Sequence, residues 1–185
     1  MGKSPRHNAV RDQLYLFALY GTPNAMKEAR HPEFPLDSRR PADVLIPAFF
    51  ENGHAACIDI CVANPFTFGV RYDSPGAAAK HLISIKKRAL QERTALPATW
   101  DHCVMAFETT GGLEKTGGKI LAKIAENWVS RSRRGYSEIV NYIRRSLANI
   151  VVRETTNMVL RETSVERAPP CVRPSHLLAL LQVAT

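Results

Sequence analysis

The chain is short of cysteine, and none of its cysteines is spaced for metal chemistry. Its four, Cys57, Cys61, Cys103 and Cys171, include no Cys-x-x-Cys pair. Cys57 and Cys61 fall on one predicted strand about 13 Å apart, too far to share a zinc ion bound at about 2.3 Å. They read as buried free thiols of a reducing compartment. No run approaches the ~20 apolar residues of a membrane span. Residues 14–20, behind a basic N-terminus, are too short and too helical in pattern for a secretory signal. A soluble, intracellular protein with no membrane partner is therefore expected. There is no internal repeat and no low-complexity tract. A phosphate-binding loop ending at Gly118-Lys119 would need glycine where Leu113 stands and a hydroxyl where Ile120 stands, which rejects a P-loop ATPase or GTPase. Acidic residues are also few: 17 against 25 lysines and arginines, a formal charge of +8. That balance favours an anionic partner, of which nucleic acid is the commonest.

What is present centres on residues 40–62. Arg40-Pro41-Ala42-Asp43-Val44-Leu45-Ile46-Pro47 and Ala55-Ala56-Cys57-Ile58-Asp59-Ile60-Cys61-Val62 read as two β-strands, with Asn52-Gly53 as a hairpin signal between them. Each carries one aspartate in apolar surroundings. Aspartate is disfavoured in strands, and a buried carboxylate without a partner is costly. A divalent cation would give both aspartates one reason. Alternation puts Ala56, Ile58, Ile60 and Val62 on a core face and Cys57, Asp59 and Cys61 on the other. Asp43 shares a side with Asp59 only if the loop is odd. A five-residue loop over 49–53 sets the two directly opposite, whereas a two-residue Asn52-Gly53 turn sends them to opposite faces. Two solvated edge aspartates remain the alternative.

At 185 residues, 45% of them hydrophobic, the chain suits one domain or one domain with an appendage. Ser4-Pro5 is a helix start, and Val10, Leu14 and Phe17 follow at helical spacing to a stop near Gly21-Thr22-Pro23. Residues 22–41 read as a loop, with one turn of helix at 24–29 as an option. Its Arg30, Arg39 and Arg40 suit phosphates or plain solvent. Residues 67–72 are a strand end or a loop. Ser74-Pro75 starts a helix running to about Gln91, with Ala78, Leu82, Ile85 and Ala89 buried and Lys80 and Lys87 in water. Lys86 lies about 40° from Leu82, at the border of the buried face, where a lysine reaches over the sheet or snorkels. Cys103-Val104-Met105-Ala106-Phe107 suits a buried strand, closed by Glu108. Ile120, Ile124 and Trp128 form the core stripe of a further helix, with Lys115, Lys119 and Lys123 a basic stripe. Arg131, Arg133 and Arg134 mark a break. A long helix follows over about 136–162, with Tyr136, Val140, Ile143, Leu147, Ile150 and Val151 inward. After Ala168-Pro169-Pro170 the tail is a short helix or disordered.

In order and spacing, Arg6-His7-Asn8 with Arg11-Asp12, Arg40-Pro41-Ala42-Asp43, Ile58-Asp59, the 76–86 helix and Phe107-Glu108-Thr109 with Gly111-Gly112 resemble one known region. It is the restriction-enzyme-like endonuclease domain at the C-terminus of non-LTR retrotransposon reverse transcriptases. The resemblance covers roughly residues 6–130. It implies an α/β (α+β) fold of the PD-(D/E)XK type, a small mixed sheet flanked by helices. Residues 1–130 would be the endonuclease-like core, 131–163 a long helix on or beyond it, and 164–185 the tail. Asp43 matches the first metal aspartate, Asp59 the second, and Lys86 a helical lysine standing in for the usual strand lysine. That strand position is Cys61 here, and the lysine and tyrosine that often follow on the helix are Ala89-Leu90.

The implied activity is Mg²⁺-dependent nicking of DNA, with Mn²⁺ as substitute, which primes reverse transcription at an insertion site. Asp43 and Asp59 would hold the ion, Lys86 would orient water or offset phosphate charge, and Glu108 is a further candidate ligand or strand-end anchor. Arg6, His7, Arg39, Arg40, Lys119 and Lys123 are the candidate DNA-binding residues. DNA, with element RNA, is the expected partner. The remainder of a reverse transcriptase joins it if the chain is a fragment of one, and the location is the nucleus if the source is eukaryotic. The alternatives are a catalytically inactive, basic DNA-binding module and a protein-interaction module built on the helical half.

Overall fold

A computed structural model describes residues 4–28, 42–65, 74, 76–91 and 97–166 of the chain. Arg30, Arg39, Arg40, Cys171, the option of a strand over 67–72 and the tail beyond 166 lie outside the described residues. The chain divides into two compact units, Met1–Thr155 and Thr156–Thr185. Of the second, only 156–166 are described, and they are helical.

The first helix, α1 (Pro5–Gly21), begins where its cap requires. The Ser4 hydroxyl accepts the His7 amide at 3.2 Å, which satisfies one of the donors left over at a helix start, and Pro5 has no amide to satisfy. Val10, Leu14, Phe17 and Ala18 make the buried stripe. At the far end the Thr22 amide donates to Ala18 O at 2.7 Å. A two-residue strand follows, β1 (Met26–Lys27), in the stretch read from sequence as loop or helical turn. Both its side chains are exposed, so it carries no periodic signal.

Strands β2 (Val44–Ile46) and β3 (Ala55–Ala63) then form an antiparallel pair in the register Val44↔Ile58, Leu45↔Cys57, Ile46↔Ala56. This register is centred on Glu51 and therefore belongs to an odd loop. The turn is closed by the Phe49 and Phe50 amides, both donating to His54 O, and by the Gly53 amide donating to Phe50 O. The two-residue Asn52-Gly53 turn does not form.

Helix α2 (Ala77–Gln91) carries the chain from β3 to β4 (Trp100–Glu108), which runs parallel to β3. Among the described residues the sheet has the order β1-β2-β3-β4, antiparallel except for its last pair. With helices α3 (Lys115–Val129) and α4 (Tyr136–Glu166) the described residues make a mixed α/β architecture, four helices and a four-stranded mixed sheet.

The strands β3 and β4 are covered on both faces, which is why they read as nearly continuous apolar runs. Ala56, Ile58, Ile60, Met105 and Phe107 enter the main core, together with Leu14 and Phe17 of α1, Ile120, Leu121 and Ile124 of α3, and Ile139, Ile143, Leu147 and Val151 of α4. Each large side chain fully buried there contributes about 1.5–3 kcal/mol relative to exposure. On the other face Cys61, Val104 and Ala106 pack under Ala79, Leu82 and Ile83 of α2. The face of α2 turned to the sheet thus runs Ala79, Leu82, Ile83, Lys86, at i, i+3, i+4, i+7. The expected stripe through Ile85 is out of phase: Ile85 is 49% exposed. Tyr136, expected inward, is also exposed.

Candidate active site

The site lies at the open end of the β2–β3 ladder. Asp43 comes just before β2, one position beyond the Val44↔Ile58 pair, close enough to Asp59 for the two carboxyls to share a hydrogen bond. Its own amide donates to Ile58 O at 2.9 Å, one residue off that register. Asp43 is 1% exposed. Its Oδ2 accepts the Ile60 amide at 2.7 Å, its Oδ1 lies 3.2 Å from His7 Nε2, and its carbonyl accepts the Glu28 amide at 2.9 Å. Three elements therefore meet on this one residue: α1, the turn after β1, and β3.

That turn is itself held from α1. The largely buried Arg11 donates through Nη1 to Glu28 Oε1 at 2.6 Å and through Nε to Asp12 Oδ1 at 2.9 Å. Lys27 adds a contact to the same Asp12 oxygen at 3.2 Å. Burial alone would raise the Asp12 carboxyl, but its hydrogen bonds and charge contacts with Arg11 and Lys27 leave it below the usual carboxylate range.

Asp59 leaves β3 on the α2 face and meets Lys86, whose Nζ is 2.8 Å from Oδ2. Burial, the neighbouring Asp43 charge and a hydrogen bond shared with Asp43 push the Asp59 carboxyl above its ordinary range, and Lys86 only partly offsets this. Burial by itself would lower the Lys86 amine. The hydrogen bond and charge of Asp59 outweigh it, with smaller help from Cys61 and Asp43, so the amine sits above its ordinary value and is cationic at neutral pH. Burial first, and then the second carboxylate, thus hold the Asp59 carboxyl above its ordinary range against the pull of the amine.

Cys57 and Cys61 flank Asp59 on the same side of β3. Burial pushes both thiols up to about 12, helped at Cys57 by Cys103 and then the two carboxylates, and at Cys61 by the carboxylates against the opposing pull of Lys86. Cys61 is therefore a neutral packing residue and does not supply the charge of a strand lysine.

His102 was not singled out from sequence. It stands beside Cys57 in register, and the alternation of β4 puts it on the same side as Val104 and Ala106, which pack under α2. Burial lowers its pKa, Lys86 and Lys87 lower it further, and Asp59 pulls it back up. The 102/104/106 alternation was the available signal.

The structure thus brings together Asp43, Asp59, Lys86 and His7. The other candidates stand elsewhere. Arg6 donates to Thr155 Oγ1 at 3.1 Å, and burial lowers its pKa. Glu108 closes β4 opposite Ala63, four register steps or about 13 Å along the sheet from the position of Asp59. It is buried, with its amide bonded to Gly112 O at 2.8 Å. That corrects its candidacy as a ligand beside the aspartates and leaves the strand-end anchor. Lys119 and Lys123 are on α3, which packs on the main-core face of the sheet, while Lys86 comes from α2 on the other.

The chain matches no protein-family model, no curated protein and no solved structure. What the site can do must be taken from its own geometry. Among the described residues no group of three or more histidines, cysteines or acids converges as a ready-made metal cage. Two adjoining carboxylates still fit one hard cation of the Mg²⁺ kind, which takes one or two carboxylates and completes its shell with water and substrate phosphate. Among the described residues no helix is long and apolar enough to cross a membrane.

Proposed function

We propose that this chain is a metal-dependent DNA endonuclease that nicks a strand, built on a PD-(D/E)XK-like core. The observation that carries the reading is the meeting of Asp43 with Asp59, with the Lys86 amine 2.8 Å from the latter. The sequence β2, β3, α2, β4, an antiparallel pair and then a helical crossover to a parallel strand, supports the core assignment. The charge of +8 supports DNA as the substrate. Under this reading the chain is a fragment of a retrotransposon reverse transcriptase or a stand-alone gene derived from one, acting in the nucleus if its source is eukaryotic, with element RNA as a further partner.

Asp43 and Asp59 would hold Mg²⁺, which when bound acidifies a water and stabilises charge on the phosphate. The residues of the chain do the rest. His7 and the Ile60 amide fix both oxygens of Asp43, so the carboxylate is preorganised. Lys86, cationic at neutral pH, acts as a charge and a hydrogen-bond donor toward the scissile phosphate rather than as a base. The half-buried setting strengthens each of these interactions relative to water.

The test is relaxation of supercoiled plasmid with Mg²⁺ or Mn²⁺. Wild type should give nicked circles. Asp43→Asn and Asp59→Asn should each lose at least about a hundredfold in rate while remaining folded, and Lys86→Met should lose rate with DNA binding kept. A second reading is a basic DNA-binding module without activity. It is favoured because Asp43 and Asp59 already have hydrogen-bonding partners within the chain and because Cys61 is neutral. DNA binding without nicking, with either metal, would establish that second reading.

A further inference from the structure

Helices α3 and α4 border an open groove of about 700 Å³, far in sequence and element from the paired carboxylates. Lys115 and Lys119 of α3 line it on one side, Arg144 and Arg145 of α4 on the other. All four are exposed, and none is ion-paired with a described residue. The acid that lines the groove, Glu114, is occupied as the N-cap of α3, where Oε2 accepts the Thr116 amide at 2.7 Å. Between the cations the groove is apolar, with Leu113, Ala122 and Ala148. Gly118 lies there too, and a Cβ built on it would meet nothing within 4 Å, so a ligand can approach the helix backbone.

We infer that this groove binds a single-stranded nucleic acid, with phosphates on the four cations and base faces on the apolar floor. Like charges around one groove repel, and a polyanion removes the repulsion. Lys115 and Lys119 are one helical turn apart, about 6 Å along α3, which lets successive phosphates of an extended strand engage them in turn. A duplex keeps its bases stacked inside and offers nothing to the apolar floor. A single strand presents both kinds of surface, the pattern of grooves that track a backbone and stack its bases. The inference uses none of Asp43, Asp59, Lys86 or His7, so it stands or falls apart from strand cleavage.

The test is fluorescence anisotropy of a labelled oligothymidylate with the full chain in EDTA, over a range of salt. Each phosphate contact on a single strand contributes about −0.7 to the slope of log affinity against log salt. The pair Lys119→Gln and Arg144→Gln should therefore flatten the slope by about 1.4 and weaken binding by roughly tenfold or more. The pair Lys80→Gln and Arg133→Gln removes equal charge from exposed sites elsewhere and should change affinity far less. Gly118→Leu fills the groove without touching a charge, on a helix that leucine suits better than glycine. It should leave the fold intact and cut binding several-fold. The inference is overturned if the control pair flattens the slope as much as the groove pair, if Gly118→Leu binds like wild type, or if a duplex of the same length binds as tightly and responds to the same substitutions.

Discussion

Asp43 can be perturbed in two ways that the structure separates. Replacing it by alanine removes the acceptor of the Ile60 amide, a bond of 2.7 Å inside the protein, and the partner of His7 at 3.2 Å. A buried donor left without an acceptor costs about 1–3 kcal/mol, and bonds to charged groups lie at the upper end. Asp43→Ala should therefore lose about 2–3 kcal/mol, or roughly 5–10 °C in Tm for a domain of this size. Replacing it by asparagine keeps a carbonyl oxygen for the Ile60 amide and offers the His7 ring an N–H in place of an oxygen. It removes only the negative charge that helps push Asp59 up. Asp43→Asn should stay within about 1 kcal/mol of wild type at neutral pH.

The pH dependence gives the decisive sign. A carboxyl whose folded pKa lies above its unfolded value binds more protons in the folded state over the interval between the two. Stability is then lost as pH rises through that interval, from the ordinary carboxylate range up to the raised value for Asp59. In Asp43→Asn the interval narrows, so this variant should gain on wild type as pH rises from acid to neutral. Urea unfolding at both pH values, with the Asp59 carboxyl followed by carbon NMR, measures each quantity. An alanine variant as stable as wild type, or an asparagine variant as unstable as alanine, would refute the account.

Three further outcomes follow from single contacts. Lys86→Met takes the amine from Asp59, so its stability deficit should grow from acid to neutral pH, where wild type has the ion pair and the variant has a bare carboxylate; equal deficits at both pH values would count against the pair. Gly21→Ala, which in an ordinary helix would gain about 1 kcal/mol, should instead lower Tm, because its Cβ would lie 2.8 Å from Asn127 Cβ and 2.9 Å from the Trp128 backbone nitrogen; a rise in Tm would contradict this close approach of α1 to α3. Burial pushes Cys57 and Cys61 up to about 12 and Cys103 up to about 11, so a Cys171→Ser variant should react slowly with a disulfide reagent at mildly alkaline pH until urea is added. Rapid labelling of the folded chain would show those thiols to be more accessible or more acidic.

How far the sequence could be read depends on the range of the contacts involved. Helix α1 was legible because its cap and stripe are local, Ser4 to His7 and Val10 to Ala18. The β2–β3 pairing was legible because Asp43 and Asp59 stand out in apolar runs and one count of the loop decides their register. Helix α2 was found but rotated. Ala77, Ala78 and Ala79 give no phase, Ile83 and Ile85 compete, and only the presence of Val104 and Ala106 beneath the helix selects Ile83. With that choice Lys86 moves from the border of the buried face onto it. His7 was read as a contact to DNA because nothing local says that α1 lies beside the start of β2. Its contact to Asp43 spans 36 residues of chain.

The instructive case is Asp43 itself. By its sequence a carboxylate in an apolar strand needs a partner, and a cation is the natural one. The partners of Asp43 within the chain include His7 and a backbone amide, that of Ile60, which would have gone unbonded because β2 ends where β3 continues. Such a donor is invisible in composition and in side-chain pattern, since every residue but proline carries one. Asp43 therefore has a reason to be buried that is independent of any ion. The case for an active centre rests instead on Asp59, whose carboxyl is pressed against a second carboxylate at a cost the fold does not require. A protein indifferent to that charge would be more stable with asparagine at position 59, where Lys86 could still donate to an amide oxygen. If Asp59→Asn is the more stable protein at neutral pH and also the one that no longer nicks DNA, the strain at Asp59 is there for chemistry. If it is more stable and nothing is lost, the site is a relic.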